Sequence, residues 1–287
     1  MNWFFEQLEK ETEPMYDAGI VDENGVRYWY KNNCNYANNS RSVTKLFVSC
    51  AVGTLVTDGR LSLESSVTSF FTKDELPSSF DEKWNNVTVK DTLRHKTGIT
   101  QKPYGIDVDD DYEKIGNDFL KYVFSLKIDG ITGETYKYTD EAYYLLGRII
   151  EKASGERTLD YFRNHIMNPL GFKQWAMSQC PMGFPICGDN FFARSDDIAK
   201  LGFALSCDGV YNGKRIVSKE YIDEAIKNDY ALTEFRNSGV FVKTGACGQM
   251  VAFSKKHKTG VAWHGYSNHG NERNDRLLEY FCEYLSK

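Results

Sequence analysis

Residues 42–59 read Ser42-Val-Thr-Lys45-Leu-Phe-Val-Ser-Cys50-Ala-Val-Gly-Thr-Leu-Val-Thr-Asp-Gly59. The apolar side chains Val43, Leu46, Phe47, Cys50, Ala51 and Val56 recur at helical spacing. They predict a helix from Ser42 to about Thr57, with Asp58-Gly59 as its stop. Ser42 and Lys45 lie three residues apart and so share one helix face, where the ammonium can reach the hydroxyl. A serine becomes a useful nucleophile only with a base in reach, and a lysine serves where its pKa is pushed down. This Ser-x-x-Lys occurs once in the chain. Taken by itself it also fits a capping serine beside a solvated lysine.

Upstream, the pattern predicts a short helix over residues 2–12, then strands around Gly19–Val21 and Val26–Tyr30 joined by an Asp-Glu-Asn-Gly turn. From about 60 to 190 the chain reads as mixed helix and loop. One strong helix, Glu141 to Ala153, stands out there, with the stripe Leu145, Leu146, Ile149 and Ile150 and with Gly155 just past its end. Beyond 195, helical segments at 196–206 and 218–228 precede β patterns at 239–244, 249–254 and 261–266, and a last helix over about 273–285. The β signal thus lies at the two ends of the chain and the helical signal between them. The expected fold is α/β (α+β): a sheet flanked by helices, built from about 1–60 and 195–287 of one domain, with a helical subdomain inserted at about 61–194.

Composition narrows the function. With 41% hydrophobic and 26% charged residues the chain is an ordinary globular protein. A net charge of −5 argues against a nucleic-acid surface. No apolar run approaches the roughly 20 residues of a membrane span. Met1-Asn2-Trp3-Phe4-Phe5-Glu6 has no basic segment and no cleavage site, so a cytoplasmic location is expected. The seven cysteines are irregularly spaced with no CxxC, which fits a reducing compartment. There is no HExxH among the five histidines, and no metal or other cofactor is expected. Asp107-Val-Asp-Asp-Asp-Tyr-Glu113 has Tyr112 where a calcium loop needs glycine, so it reads as a solvated acidic loop.

Lys-Thr-Gly occurs three times, at 96–98, 243–245 and 258–260. The first follows a short helical segment, and the last sits in a Lys- and Gly-rich turn suited to a hairpin bend. Only Lys243-Thr244-Gly245 ends a β run, Val240-Phe241-Val242, and precedes a second strand. There a cation and a hydroxyl can stand on a rigid strand edge, with small residues where substrate backbone must come close. An ordinary strand ending in a glycine turn is the plainer alternative.

In order along the chain, these stretches resemble the serine β-lactamases and DD-peptidases of the class C type, with their esterase and amidase relatives. Residues 42–63 look like that family's nucleophile helix and the loop leaving it. Val87-Thr-Val-Lys-Asp-Thr-Leu-Arg-His-Lys-Thr-Gly-Ile99 looks like the segment that follows. Tyr136-Lys-Tyr-Thr-Asp-Glu-Ala-Tyr-Tyr-Leu-Leu-Gly147 resembles the stretch bearing the Tyr-x-Asn motif. Asp197-Ile-Ala-Lys-Leu-Gly202 and Gly209-Val-Tyr-Asn-Gly-Lys214 resemble the return into the α/β part. The wide separation of Ser42 from Tyr138 suits the class C type, and the collinear order is more specific than any single triplet. The likeness implies a β-lactamase/transpeptidase-like fold with an antiparallel sheet.

It also implies roles. Ser42 would be the acylated nucleophile. Lys45 and Tyr138 would move its proton, the phenol made a better base by the cations Lys45 and Lys243. Lys243 and Thr244 would hold a substrate carboxylate, with Gly245 leaving room for the substrate. Backbone N–H groups of Ser42 and Ala246 would form the oxyanion hole. Asp140 departs from the pattern, standing where the family has Asn. A carboxylate only accepts hydrogen bonds and favours charged Lys45, which points to poor turnover of acyl-amide β-lactams. Its plainer role is to cap the helix starting at Glu141. The expected activity is hydrolysis of a small or peptide-like amide, ester or β-lactam bearing a carboxylate. The alternative is a catalytically silent ligand-binding or scaffold protein of the same fold.

Overall fold

Strand Thr259–Gly265 is buried along its whole length, so it belongs at the middle of a sheet covered on both faces. In the computed structural model, which describes residues 2–31, 36–107 and 111–287, this is where it lies. Six strands run in the spatial order Gly25–Tyr30, Met15–Asp22, Thr259–Gly265, Gln249–Ser254, Val240–Gly245, Thr233–Glu234. All neighbours are antiparallel. The first hairpin closes at Asp22, whose carboxylate accepts from the Asn24 N–H at 2.8 Å, and Gly25 takes a φ of 108° that suits glycine.

Alternation sorts the side chains to two faces. Ala18, Ile20, Val240, Val242, Met250, Ala252, Val261 and Trp263 form one core with Phe4, Phe5 and Leu8 of helix Trp3–Glu9 and Leu277, Leu278 and Phe281 of helix Gly270–Ser286. The other face carries helix Ser195–Ser206. Two glycines let it come close: a Cβ on Gly19 would lie 2.4 Å from Asp196 Cα, and one on Gly260 would lie 2.2 Å from Phe203 N. Both are strand glycines where another backbone approaches.

The chain divides into two units. The first holds this sheet and its helices: Met1–Leu46, Met167–Ala176 and Phe191–Lys287. The second holds Phe47–Ile166 and Met177–Asn190. Its centre is helix Asp140–Ser154, buried without interruption from Glu141 to Ile150. Short segments fasten to it: Tyr143 Oη donates to Leu93 O at 3.0 Å, and Thr158 Oγ1 donates to Gly147 O at 2.9 Å.

The fold class and antiparallel sheet are as the sequence predicts. Several details differ. The α-helix begins at Thr44, not Ser42, because Arg41–Val43 form a 3₁₀ turn. The helix that ends at Ser154 starts at Asp140, and its cap is Thr139, whose hydroxyl accepts from the Ala142 N–H at 3.4 Å. Asp140 is therefore the first helical residue and not the cap. The last helix starts at Gly270, three residues before the expected position. The two-residue strand Asn38–Asn39, paired with Phe191–Ala193, is too short to leave a periodic signal. Of the acidic loop, residues 108–110 lie outside the described residues.

Candidate active site

Within the sheet-bearing unit, Ser42 sits in the 3₁₀ turn that leads into helix Thr44–Thr57. The turn brings Lys45, fully buried, back over the serine, and Lys45 Nζ donates to Ser42 Oγ at 3.2 Å. The residue before the serine, Arg41, is held at a φ of 51°. For a residue with a Cβ that conformation carries strain and persists only where the surroundings fix it. They do so here: the Arg41 N–H donates to Asn39 Oδ1 at 2.8 Å, and Thr44 Oγ1 donates to Arg41 O at 2.5 Å.

The three Lys-Thr-Gly triplets have separate fates. Gly245 lies against the nucleophile's own segment, since a Cβ there would fall 2.6 Å from Ser40 O and 3.0 Å from Arg41 Cβ. Strand Val240–Gly245 therefore passes directly beside Ser42's backbone. Val240 and Val242 enter the core with the terminal helices, so Lys243 belongs to the opposite face. Thr244 is exposed, and Ala246 opens the turn Ala246–Gly248, whose Cys247 and Gly248 carbonyls accept from Arg273 Nη2 at 3.2 and 3.0 Å. Lys258 is an exposed turn residue paired with Glu23 at 2.8 Å, and Gly260 serves helix packing. Lys96–Gly98 belongs to the second unit. The structure thus brings together Ser42, Lys45 and the triplet 243–245.

Tyr138 and Asp140 belong to the second unit. Sequence reasoning passed over the residue that orders them there, His95. It holds a positive φ of 56°, its ring packs 4.5 Å from that of Tyr138, and its Nδ1 accepts from the Thr139 N–H at 3.3 Å. Its carbonyl accepts from the Lys137 N–H at 2.9 Å. One histidine thereby fixes the backbone on both sides of Tyr138. The only sequence signal was its place directly before the Lys-Thr-Gly at 96–98. Gly188 makes room for Asp140, because a Cβ there would meet Asp140 Cβ at 2.6 Å.

Beside Asp140, Glu141 is buried, and desolvation first, with the negative charges of Asp140 and Asp107 adding to it, pushes its carboxyl up to about 8 from an ordinary 4.5. The folded state thus keeps a proton that the unfolded chain releases near 4.5. Stability on this account falls as pH rises from about 4.5 to about 8 and is level above that. Glu141→Gln keeps the shape and removes the titration. The expected result is greater stability than the parent at pH 9, on the order of a few kcal/mol and read as a higher melting temperature, with the gap closing by pH 4.5. A gap that is constant across that range would show that Glu141 is not the titrating group.

Residues 39–280 match the family described as Beta-lactamase. The chain belongs to that family. Among curated relatives, N-acetylmuramyl-L-alanine amidase of Bacillus subtilis (strain 168) is 26% identical over 149 residues, 50% of this chain and 34% of the amidase. Protein flp of Staphylococcus aureus (strain MW2) is 25% identical over 138 residues, 48% of this chain and 27% of that protein. The chain spans about a third or less of either relative's length. A penicillin-binding protein homologue from Caulobacter crescentus superposes with a TM-score of 0.73 at 16% identity, covering 98% of this chain and 95% of that one. A D-stereospecific amidohydrolase from Streptomyces sp. gives 0.66 at 16% identity, covering 97% and 96%. At such identities the solved structures establish the fold. Among the described residues, no cluster of His, Cys, Asp or Glu could hold a metal ion, and no helix is long and apolar enough to cross a membrane.

Proposed function

We propose that the chain is a serine hydrolase working through an acyl-enzyme. Supporting this above all is the fully buried Lys45 with its Nζ 3.2 Å from Ser42 Oγ, beside the strand of Lys243–Gly245. Ser42 Oγ attacks the carbonyl of an amide, ester or lactam while Lys45 and Tyr138 take up its proton and pass it to the leaving group. The backbone N–H groups of Ser42 and Ala246 receive the oxyanion, and water then releases the acid. Lys243 holds a carboxylate on a small or peptide-like substrate, while Thr244 shares the strand face of Val242 and lies with Met250 and Leu278. The amidase and amidohydrolase among the similar proteins favour an amide. Asp140, an acceptor where the family has a donor, is the one feature that favours the alternative, a ligand-binding protein with little turnover.

Incubation with a fluorophosphonate and, separately, a fluorescent penicillin tests the reading. Mass spectrometry of the tryptic peptides should place the adduct on Ser42, and an adduct elsewhere, or none, removes it. Lys243→Ala should slow acylation by carboxylate-bearing substrates by roughly one to two decades, the loss of one charge-assisted hydrogen bond of about 1.5–3 kcal/mol. Neutral esters should lose much less. Lys258→Ala, in its exposed turn, should change neither rate. Equal losses at Lys243 and Lys258 would show that the wrong triplet holds the carboxylate.

A further inference from the structure

Three polar side chains that the mechanism does not use form a buried line beneath Ser42. Asp17 and His264 are cross-strand partners on adjacent strands, and each is about 1% exposed. His264 Nδ1 lies 2.7 Å from Asp17 Oδ1, and its Nε2 lies 3.0 Å from the Oγ of Ser40, which is fully buried. Asp17 Oδ2 accepts a third bond, from Asn38 Nδ2 at 3.0 Å. A carboxylate can only accept, so Nδ1 carries a proton toward Asp17, and Nε2 is left to bond the Ser40 hydroxyl.

The types resemble a nucleophilic triad, but Ser40 is closed to any substrate. Its backbone carries the meaning instead. The Ser40 N–H donates to Phe191 O at 2.7 Å, and its carbonyl accepts from the Val43 N–H at 3.1 Å. That same carbonyl is the atom a Cβ on Gly245 would strike at 2.6 Å. Ser40 is thus the point where the nucleophile's segment rests on the strand of Lys243. Between Ser40 and Ser42 stands Arg41 at its strained φ of 51°, which needs a fixed neighbour on each side. Apolar residues of similar volume could fill the space, but hydrogen bonds are directional and fix one geometry.

We propose that Asp17, His264 and Ser40 are positioning residues, a relay that sets the spacing between the backbone of Ser42 and the strand ending at Gly245. The proposal rests on the serine-hydrolase reading for its catalytic consequence, though not for the spacing itself. Two amide substitutions separate the two ends of the imidazole. In His264→Asn the amide reaches the Nδ1 position and keeps the bond to Asp17, while in His264→Gln it reaches the Nε2 position and keeps the bond to Ser40.

The experiment compares the full chain with Ser40→Ala, His264→Asn and His264→Gln by fluorophosphonate labelling rate, final labelled fraction and amide hydrogen exchange. Ser40→Ala and His264→Asn should label at least about tenfold more slowly, to the same final fraction. Exchange should speed up in peptides covering 38–44 and 243–247 and stay unchanged in 249–254. His264→Gln, which keeps the Ser40 bond and gives up the one to Asp17, should fall between the parent and His264→Asn in both. Exchange that is unaltered in all three variants overturns the relay. So does a lowered labelled fraction with an unaltered rate per labelled site, the mark of a merely structural role. A parent that never labels, with the exchange pattern as stated, overturns the hydrolase reading and supports the relay.

Discussion

Ser42→Ala is expected to abolish covalent labelling and to lower turnover of any ester or amide substrate by roughly four or more orders of magnitude, about 5 kcal/mol in the barrier. On the proposed acyl-enzyme mechanism, the size follows from the loss of the atom that would form the acyl bond; binding and oxyanion donors would remain with no covalent intermediate to stabilise. The fold should survive, because Ser42 is only half-buried and its backbone geometry is set by Asn39, Thr44 and the 3₁₀ turn. Near-parental melting temperature with no adduct is the expected pair of measurements. An adduct that moves to another serine, or turnover within a decade of the parent, would show that Ser42 is not the nucleophile.

Gly260→Ala is expected to be among the most damaging single methyls in the sheet-bearing unit. Its Cβ would lie 2.2 Å from Phe203 N, 2.4 Å from Ala199 O and 2.6 Å from Gly202 C. All three are main-chain atoms of helix Ser195–Ser206, so no side-chain rotation relieves the overlap and the helix must lift off the sheet. The cost should reach about 3 kcal/mol or more, read as a fall of roughly 6 °C or more in thermal melting. Gly59→Ala is the matched control. Its Cβ meets nothing within 4 Å, so only the left-handed φ of 68° counts against it, at about 1–2 kcal/mol. Equal losses at the two positions would mean that helix–sheet contact does not govern stability here.

The chain's own chemistry determined a good deal. The apolar spacing after Ser42, the uninterrupted stripe from Leu145 to Ile150 and the β runs after 239 are local periodic signals, and the sheet and its main helices follow from them. The order of the motifs along the chain is that of its family. Local signals also paired Ser42 with Lys45, since a three-residue spacing puts two side chains on one face in a 3₁₀ turn as well as in an α-helix. What tertiary structure alone decided are matters of distance between residues far apart in sequence. Where the glycines of two identical Lys-Thr-Gly triplets pack is one of them: against Ser40 O for Gly245, against a helix backbone for Gly260. The cap of helix Asp140–Ser154 fell to Thr139 because its extended backbone turns the hydroxyl toward the Ala142 N–H, a dihedral that composition does not record. His95 beside Tyr138, and Asp17 and His264 beside Ser40, left no periodic pattern. Each is a single polar residue whose partner is brought in by folding, and hydrogen bonds across such separations exist only once the sheet and helices have closed.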